Sequence, residues 1–345
     1  MVDVTVMGAG AFGLSVAWAC IRRGASVRVI DPHGAGSGSS GGLVGALAPH
    51  VPENWNDKKE FQFQSLIMAE DWWNEAAAAG GRSPGYGRTG RLQPVMDARG
   101  LELARAREDS AAELWRGEAQ WQVVERGAFD DWVPESPTGF LIHDTLTARM
   151  SPRMACAALK AAVLAKGGEI LSEGDAAGKV VWATGWRGLV EMSEEIGKTI
   201  GNGVKGQAAA LAFDAGAQAP QLFADTVHVI PHVNGTVAIG STSEREFDDP
   251  TGVDEQIDAV IEKARAAVPA LRDAEVIERW AGVRPRTKSR APMLGGHPLR
   301  DGEFIANGGF KIGFGMAPKV AEGMADLMLD GIDAIPEAFK PQASL

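Results

Sequence analysis

Gly8, Gly10 and Gly13 stand in the spacing GxGxxG, and an acid, Asp31, follows 18 residues after Gly13. That spacing serves a dinucleotide. The first glycine permits a tight turn, the second lets the backbone approach a pyrophosphate, and the third allows close helix–strand packing. Unpaired amides at the start of the following helix then face the phosphate charge. A carboxylate about 20 residues further on accepts from both hydroxyls of an adenosine ribose and repels a phosphorylated one, so FAD or NAD fits better than NADP. The fingerprint alone is weak evidence, but its setting strengthens it. Residues 2–7 read as a strand, the stretch after Gly10 as a helix, and residues 26–30 as a second strand ending at Asp31.

Two further groups of residues carry possible chemistry. Residues 34–45 are almost all Gly, Ser and Ala and lead into Ala46-Leu47-Ala48-Pro49-His50. Such a run is either a flexible linker or a backbone able to lie flat against a large planar ring, and its place directly after the acid favours the ring. Arg284 lies in a tract reading WAGVRPRTK over residues 280–288. Arg286, Lys288 and Arg290 add positive charge to the same segment. They form an exposed basic loop, steer anionic substrates, or extend the site for a second acidic group.

Composition narrows the partners. The 345 residues suffice for two domains, 45% are apolar, and the net charge is −11, which disfavours nucleic acid and anionic membrane surfaces. Residues 4–21 contain no charge, but three glycines at turn spacing, Asp3 ahead of them and no basic leader argue against a membrane span or signal. Cys20 and Cys156 form no CxxC pair, and the six histidines show no ligand spacing. A cytoplasmic protein without disulfide or metal is expected.

The elements that must position these groups follow from periodicity and punctuation. Residues 61–79 are helical in pattern, with Phe61, Leu66, Met68, Ala69, Trp72 and Trp73 available for a buried face. A glycine-rich turn at 85–90 precedes a strand at 91–96 and a charged amphipathic helix at 101–116. Ser151-Pro152 opens a helix reaching about residue 166, stopped by Gly167-Gly168. Residues 180–184 read as a buried strand ending at Gly185, and the stretch between 170 and 180 has room for one hairpin or a tight loop. Residues 227–230 and 236–239 flank Asn234-Gly235 as a hairpin. A helix at 253–268, a strand at 303–306, a turn at Gly308-Gly309 and a last helix at 318–329 complete the pattern.

Taken together, GAGAFG with Asp31, GALAP, VVWATG, the VKGQ of residues 204–207, WAGVRPRTK and the GGFKIGFGMAP of residues 308–318 resemble the glycine oxidase and D-amino-acid oxidase family of FAD-dependent amine oxidases, to which sarcosine oxidases are related. The resemblance implies an α/β fold in two domains. A Rossmann-type FAD-binding domain would comprise residues 1–80, 150–205 and 285–345. A mostly antiparallel β-sheet with helices, from residues 81–149 and 206–284, would form the substrate pocket. It places cofactor contacts at Gly8, Gly10, Ala11, Phe12, Gly13 and Asp31, at Ser39, Ser40, Gly41, Gly42 and Leu43, at Gly185, and at Gly309, Lys311, Ile312, Gly313 and Phe314. A helix opening near Ala317-Pro318 would direct its positive end at the N1 and O2 side of a reduced flavin, and Lys311 would add a full charge.

The implied activity is oxidation of the C–N bond of a small amino acid or N-alkylglycine by hydride transfer to flavin N5, with dioxygen or another acceptor reoxidising the flavin. Arg284 matches the family's carboxylate-binding arginine; His228, Ser243 and His50 fall at substrate-side positions, and Lys311 joins Arg284 and His228 as a catalytic candidate. Two departures stand out. Relatives commonly carry a tyrosine where this chain has His228, and its only tyrosine is Tyr86. The imidazole either binds a carboxylate or amine and titrates near neutral pH, or fills the position as a satisfied core residue. The segment before VVWATG is also short, so adenine-side contacts do not transfer. No cysteine follows Cys156, and FAD is therefore expected to be noncovalent. Rival readings are a dehydrogenase of the same fold, the flavin domain of a tRNA-modifying enzyme, which the acidic balance disfavours, and a non-catalytic FAD-binding protein.

Overall fold

A computed structural model describes residues 2–345. In chain order the main elements of its first half are β1 (Val4–Met7), α1 (Ala11–Arg22), β2 (Val27–Ile30), β3 (Ala46–Leu47), α2 (Asp57–Gly80), β4 (Arg91–Pro94), α3 (Ala98–Leu114), β5 (Trp121–Glu125), β6 (Phe140–Asp144), β7 (Ala148–Arg149), α4 (Pro152–Ala165), β8 (Glu169–Leu171) and β9 (Lys179–Trp182). There follow α5 (Gly185–Ile196), β10 (Gly201–Ala212), β11 (Gln221–Ala224), β12 (Val227–Pro231), β13 (Thr236–Gly240), α6 (Gln256–Ala267), β14 (Glu275–Thr287), β15 (Met293–Gly296), β16 (Phe304–Asn307) and α7 (Gly313–Ala325).

The uncharged stretch at residues 4–21 is β1, a glycine turn and α1 rather than a single span, and among the described residues no helix is long and apolar enough to cross a membrane. β1 lies at the centre of a six-stranded sheet ordered β15-β16-β9-β1-β2-β8. It runs parallel to β2 and β9, β8 adds in parallel beside β2, and only β15 is antiparallel. α1 packs against α4 and α7, and α2 against the same two helices. Their shared core holds Trp18, Trp73, Leu66, Met316, Val320 and Met324. α2 starts where the Asn56 side chain accepts from the amides of Lys58 and Lys59, and stops at Gly81 with φ 64°.

The second sheet has eight strands in the order β14-β10-β13-β12-β11-β4-β6-β5, all antiparallel neighbours except β11 and β4. Side chains alternate across it. Ala209, Leu211, Val229, Val237 and Ile239 face α6 through Ile257, Ile261 and Ala264, while Ala208, Ala210, Ile230 and Ala238 face Leu43, Val44 and Trp280. Register decides what else shares this second face. Arg284 lies opposite Val204, Trp280 opposite Ala208, Ala208 opposite Gly240, and Gly240 opposite His228. Arg284, Trp280 and His228 therefore project to one side, towards the small-residue segment. The α/β architecture, with one largely parallel sheet and one mostly antiparallel sheet, matches the expectation.

Two local readings are corrected. The last helix begins at Gly313, and Pro318 lies inside it; a proline taken as the helix start is the sixth residue, where its missing N–H removes one bond, to the Phe314 carbonyl. The stretch before β9 holds β8, an edge strand parallel to β2, and then a tight loop, one of the two forms expected there. The two longest strands, β10 and β14, and the helix α5 were not anticipated as elements.

Candidate functional site

The dinucleotide motif sits at the carboxyl ends of adjacent parallel strands, the usual ligand position in such sheets. Gly8 has φ 109°, and a Cβ there would lie 2.4 Å from the Ala183 carbonyl oxygen. A Cβ on Gly13 would lie 1.9 Å from the Gly8 oxygen, so both positions exclude any side chain. Gly10 caps α1 in extended conformation without a capping side chain. The Ala11 amide donates to Ser40 Oγ at 2.9 Å, and the first helical bond runs from Leu14 to Gly10. Among the described residues the amides of Phe12 and Gly13 have no acceptor. Asp31 is fixed at the end of β2, its Oδ2 accepting from Ala9 at 2.8 Å and its Oδ1 from His33 at 2.9 Å; each oxygen keeps a lone pair for a ribose hydroxyl.

A second helix start adjoins the first. A Cβ on Gly309 would come within 2.9 Å of the Phe12 ring, and the amides of Gly313, Phe314 and Gly315 at the head of α7 have no acceptor among the described residues. This corrects the expected opening near Ala317-Pro318 and brings Ile312, Gly313 and Phe314 to the helix terminus itself. Asn307 ties the region together, donating to the Gly185 carbonyl at 2.9 Å and accepting from the Gly308 amide at 2.7 Å. Residues 34–45 run from α1 to the second sheet. The Gly36 amide donates to the Ala9 carbonyl at 2.8 Å, Ser39–Gly41 form a short 3-10 turn, and a Cβ on Gly42 would stand 3.0 Å from the Trp280 indole. Side-chain-free backbone, two sets of free amides and a held carboxylate suit a dinucleotide carrying a pyrophosphate and a large ring.

On the sheet side, Arg284 Nη2 donates to Ser241 Oγ at 2.7 Å and Nη1 to the Thr242 carbonyl at 3.3 Å. Burial brings its pKa down to about 10, against the pull of Glu244, so it stays charged at neutral pH. Yet none of the ion pairs among the described residues includes it. Glu244 is held elsewhere: it lies 3.5 Å from Lys205 Nζ, accepts from Gln207 Nε2 at 3.2 Å, and accepts from the Thr242 hydroxyl. Gly206 makes the space, since a Cβ there would meet both terminal nitrogens of Arg284 at 2.0 Å. A desolvated guanidinium with open donors and no carboxylate partner is a receptor for an external anion.

His228 Nδ1 has no hydrogen-bond partner, and its ring lies 4.6 Å from that of Phe223. Burial first, then the charges of Arg91, Lys311 and Arg284, lower its pKa to about 3. This lies well below the neutral range in which one reading of the residue has it titrate, and the unpartnered Nδ1 distinguishes it from a fully hydrogen-bonded core histidine. Lys311 is exposed; loss of solvent around its ammonium, then Arg284 and Arg286, lower its pKa. Ser243 is exposed, and the serine touching Arg284 is Ser241. His50 is held by Gln62, which accepts from its amide at 2.8 Å and also bonds Nδ1; no hydrogen bond joins it to Arg284 or His228. Sequence reasoning missed Gly206 and Ser241, although the VKGQ motif contains the former. It also missed Arg149, buried on β7, whose Nη2 donates to the Ala217 carbonyl at 2.5 Å while Nε and Nη1 find no partner.

Comparison with known proteins agrees with this fold. A family model described as FAD dependent oxidoreductase (DAO) matches residues 3–327. Glycine oxidase of Geobacillus kaustophilus is 24% identical over 373 residues, covering 94% of this chain and 92% of that protein. The bifunctional ThiO/ThiG protein of Synechocystis sp. is 33% identical over 148 residues, which cover 41% of this chain and 22% of that longer protein. Glycine oxidase of Bacillus licheniformis is 30% identical over 131 residues, 36% of this chain and 34% of its own; the matched part thus spans about a fifth and a third of these two relatives. Among solved structures, G. kaustophilus glycine oxidase superposes with a TM-score of 0.83 at 21% identity, covering 98% of this chain and 97% of that one. Iminodiacetate oxidase from Chelativorans sp. BNC1 gives 0.83 at 20% identity, covering 98% and 99%.

Proposed function

The chain belongs to the FAD-dependent oxidoreductase family, and from that premise we propose that it oxidises the C–N bond of a small amino acid or N-alkylglycine, with Arg284 holding the substrate carboxylate. When bound, FAD supplies the two-electron acceptor. The chain's own residues position the substrate and exclude water. Arg284, braced by Ser241 and the Thr242 carbonyl, takes the carboxylate. His228, neutral and on the same face of the sheet as Arg284, offers one hydrogen bond from its ring to the carboxylate or the amine. The amides heading α7, with Lys311 beside them, would hold the cofactor at a positive potential that favours its gaining negative charge. Orientation of this kind needs no strong protein base. The product is an imino acid, which water converts to a keto acid and an amine.

The observation that carries this reading is the charged, desolvated Arg284 without a carboxylate partner. The glycine oxidase relatives support it. FAD is proposed to be held without a covalent bond, because both cysteines, Cys20 and Cys156, are buried and none follows in the late tract. The test is a panel of amino acids and N-alkylglycines added to the purified flavoprotein without oxygen. Bleaching of the flavin by a member of the panel is expected, and its absence for all of them overturns the proposal. Peroxide release in air, compared with reduction of an acceptor dye, then assigns the oxidant.

A further inference from the structure

We propose that the physiological substrate of this site carries a second anionic group, received by Arg286 and Lys311 beside the Arg284 clamp; the inference rests on the oxidation proposed above. Arg284 and Arg286 are two residues apart on β14 and so share a face, with roughly 7 Å between their α-carbons. The Phe310 amide donates to the Pro285 carbonyl at 3.0 Å, which pins the α7 approach loop against this strand. The Phe310 ring then lies beneath both cations, 5.7 Å from the Arg286 guanidinium and 5.8 Å from the Lys311 ammonium. Arg286 and Lys311 thus share one ring, and Arg284 and Arg286 are both close enough to Lys311 to act on its charge.

None of them has an acidic partner. In a chain of net charge −11 carboxylates abound, and Arg279, on the same β14, pairs with Asp258 at 2.5 Å. Arg153 pairs with Glu278 at 2.6 Å. Among the described residues neither Arg284, Arg286, Lys311 nor the neighbouring Arg245 and Arg290 belongs to any ion pair. The repulsion is visible in the cations themselves: Arg286 has its pKa lowered by loss of solvent and by Arg290 and Arg245, and Lys311 by loss of solvent and by Arg284 and Arg286. One carboxylate on Arg284 leaves two of these charges uncompensated. An amino acid or N-substituted glycine with a second carboxylate two or three carbons away answers the arrangement; a bland basic loop answers only with indifferent attraction to any anion.

The holoenzyme, titrated with unreactive acids and followed by perturbation of the flavin absorbance, separates these cases. Malonate or succinate is expected to bind about tenfold tighter than acetate, the worth of one added charge-assisted contact. Arg286→Gln and Lys311→Met should each bring that ratio close to one, whereas Arg279→Gln, which removes an equal charge elsewhere on β14, should leave it intact. Equal binding of mono- and dicarboxylates by the unaltered protein overturns the inference, as does a ratio that survives both Arg286→Gln and Lys311→Met. If a monocarboxylic amino acid bleaches the flavin while the ratio is one, only this inference falls. If no amino acid of either class bleaches it, the proposed oxidation falls first.

Discussion

Gly206 lies directly against the guanidinium of Arg284, so close that a methyl group on its α-carbon would stand 2.0 Å from each terminal nitrogen. The antiparallel register causes this, placing Val204 opposite Arg284 and Gly206 two residues along on the same face. Gly206→Ala should therefore push the guanidinium off Ser241 while leaving the dinucleotide cradle untouched. Acetate affinity should fall about tenfold or more, with FAD content, read from absorbance, unchanged.

Removing the clamp itself gives a graded series. Arg284→Ala should retain flavin and weaken carboxylate binding by about 2–5 kcal/mol, the range for deleting one partner of a buried charge pair. Arg284→Lys should recover only part, because an ammonium lacks the planar fork. Titration with acetate and measurement of KM test both, and unchanged affinity in Arg284→Ala removes the assignment.

The pH dependence has a definite sign. His228 and His232 are lowered from 6.5 to about 3 and about 4, by burial first and then chiefly by neighbouring arginine and lysine charge. Between those values and 6.5 the unfolded chain binds protons that the folded one refuses, so stability is complete above about pH 6.5 and is lost progressively as pH falls. Tm should be lower at pH 5 than at pH 7.5, and His232→Asn should flatten that slope. Acetate binding should show no inflection near pH 6.5 from His228; one that disappears in His228→Asn would contradict a neutral imidazole.

Glu244 supports the clamp from beneath. Its side chain and that of Lys205 are 9% and 6% exposed and 3.5 Å apart. Glu244→Gln removes the ion-pair partner of a buried lysine that Asp249 and Asp254 act on only from a greater distance, a loss of up to about 3–5 kcal/mol. Urea denaturation of the holoenzyme measures it, and a loss below about 1 kcal/mol would show the pair to be weakly coupled.

What was legible in the sequence depended on how local the cause was. The β1–α1–β2 unit follows from glycines and an acid within one short stretch, so Gly8, Gly13 and Asp31 stand where their types require. Arg284 was legible through its motif. Its neighbours were not, because register across strands decides them: nothing in the chain singles out Ser241 as the serine that meets the guanidinium, and nothing near Gly206 announces an arginine. β10, reading GNGVKGQAAALA, hides its strand character in glycines and alanines whose smallness is the purpose of that face. The start of α7 was obscured because Gly313 and Gly315 resemble a turn and Pro318 resembles a helix opening.

β10 is paired with β14 along its whole length, from Gly201 opposite Thr287 to Ala212 opposite Glu275. The arginine is thereby mounted on a ribbon with one bulge, at Ile277, and a single-residue insertion or deletion between that bulge and Arg284 would turn the arginine over to the side covered by α6. Redesign of this protein for other acids can accordingly proceed by exchanging side chains along the ribbon and by remodelling the connection at residues 241–252, but not by altering the length of β14 between the bulge and Arg284.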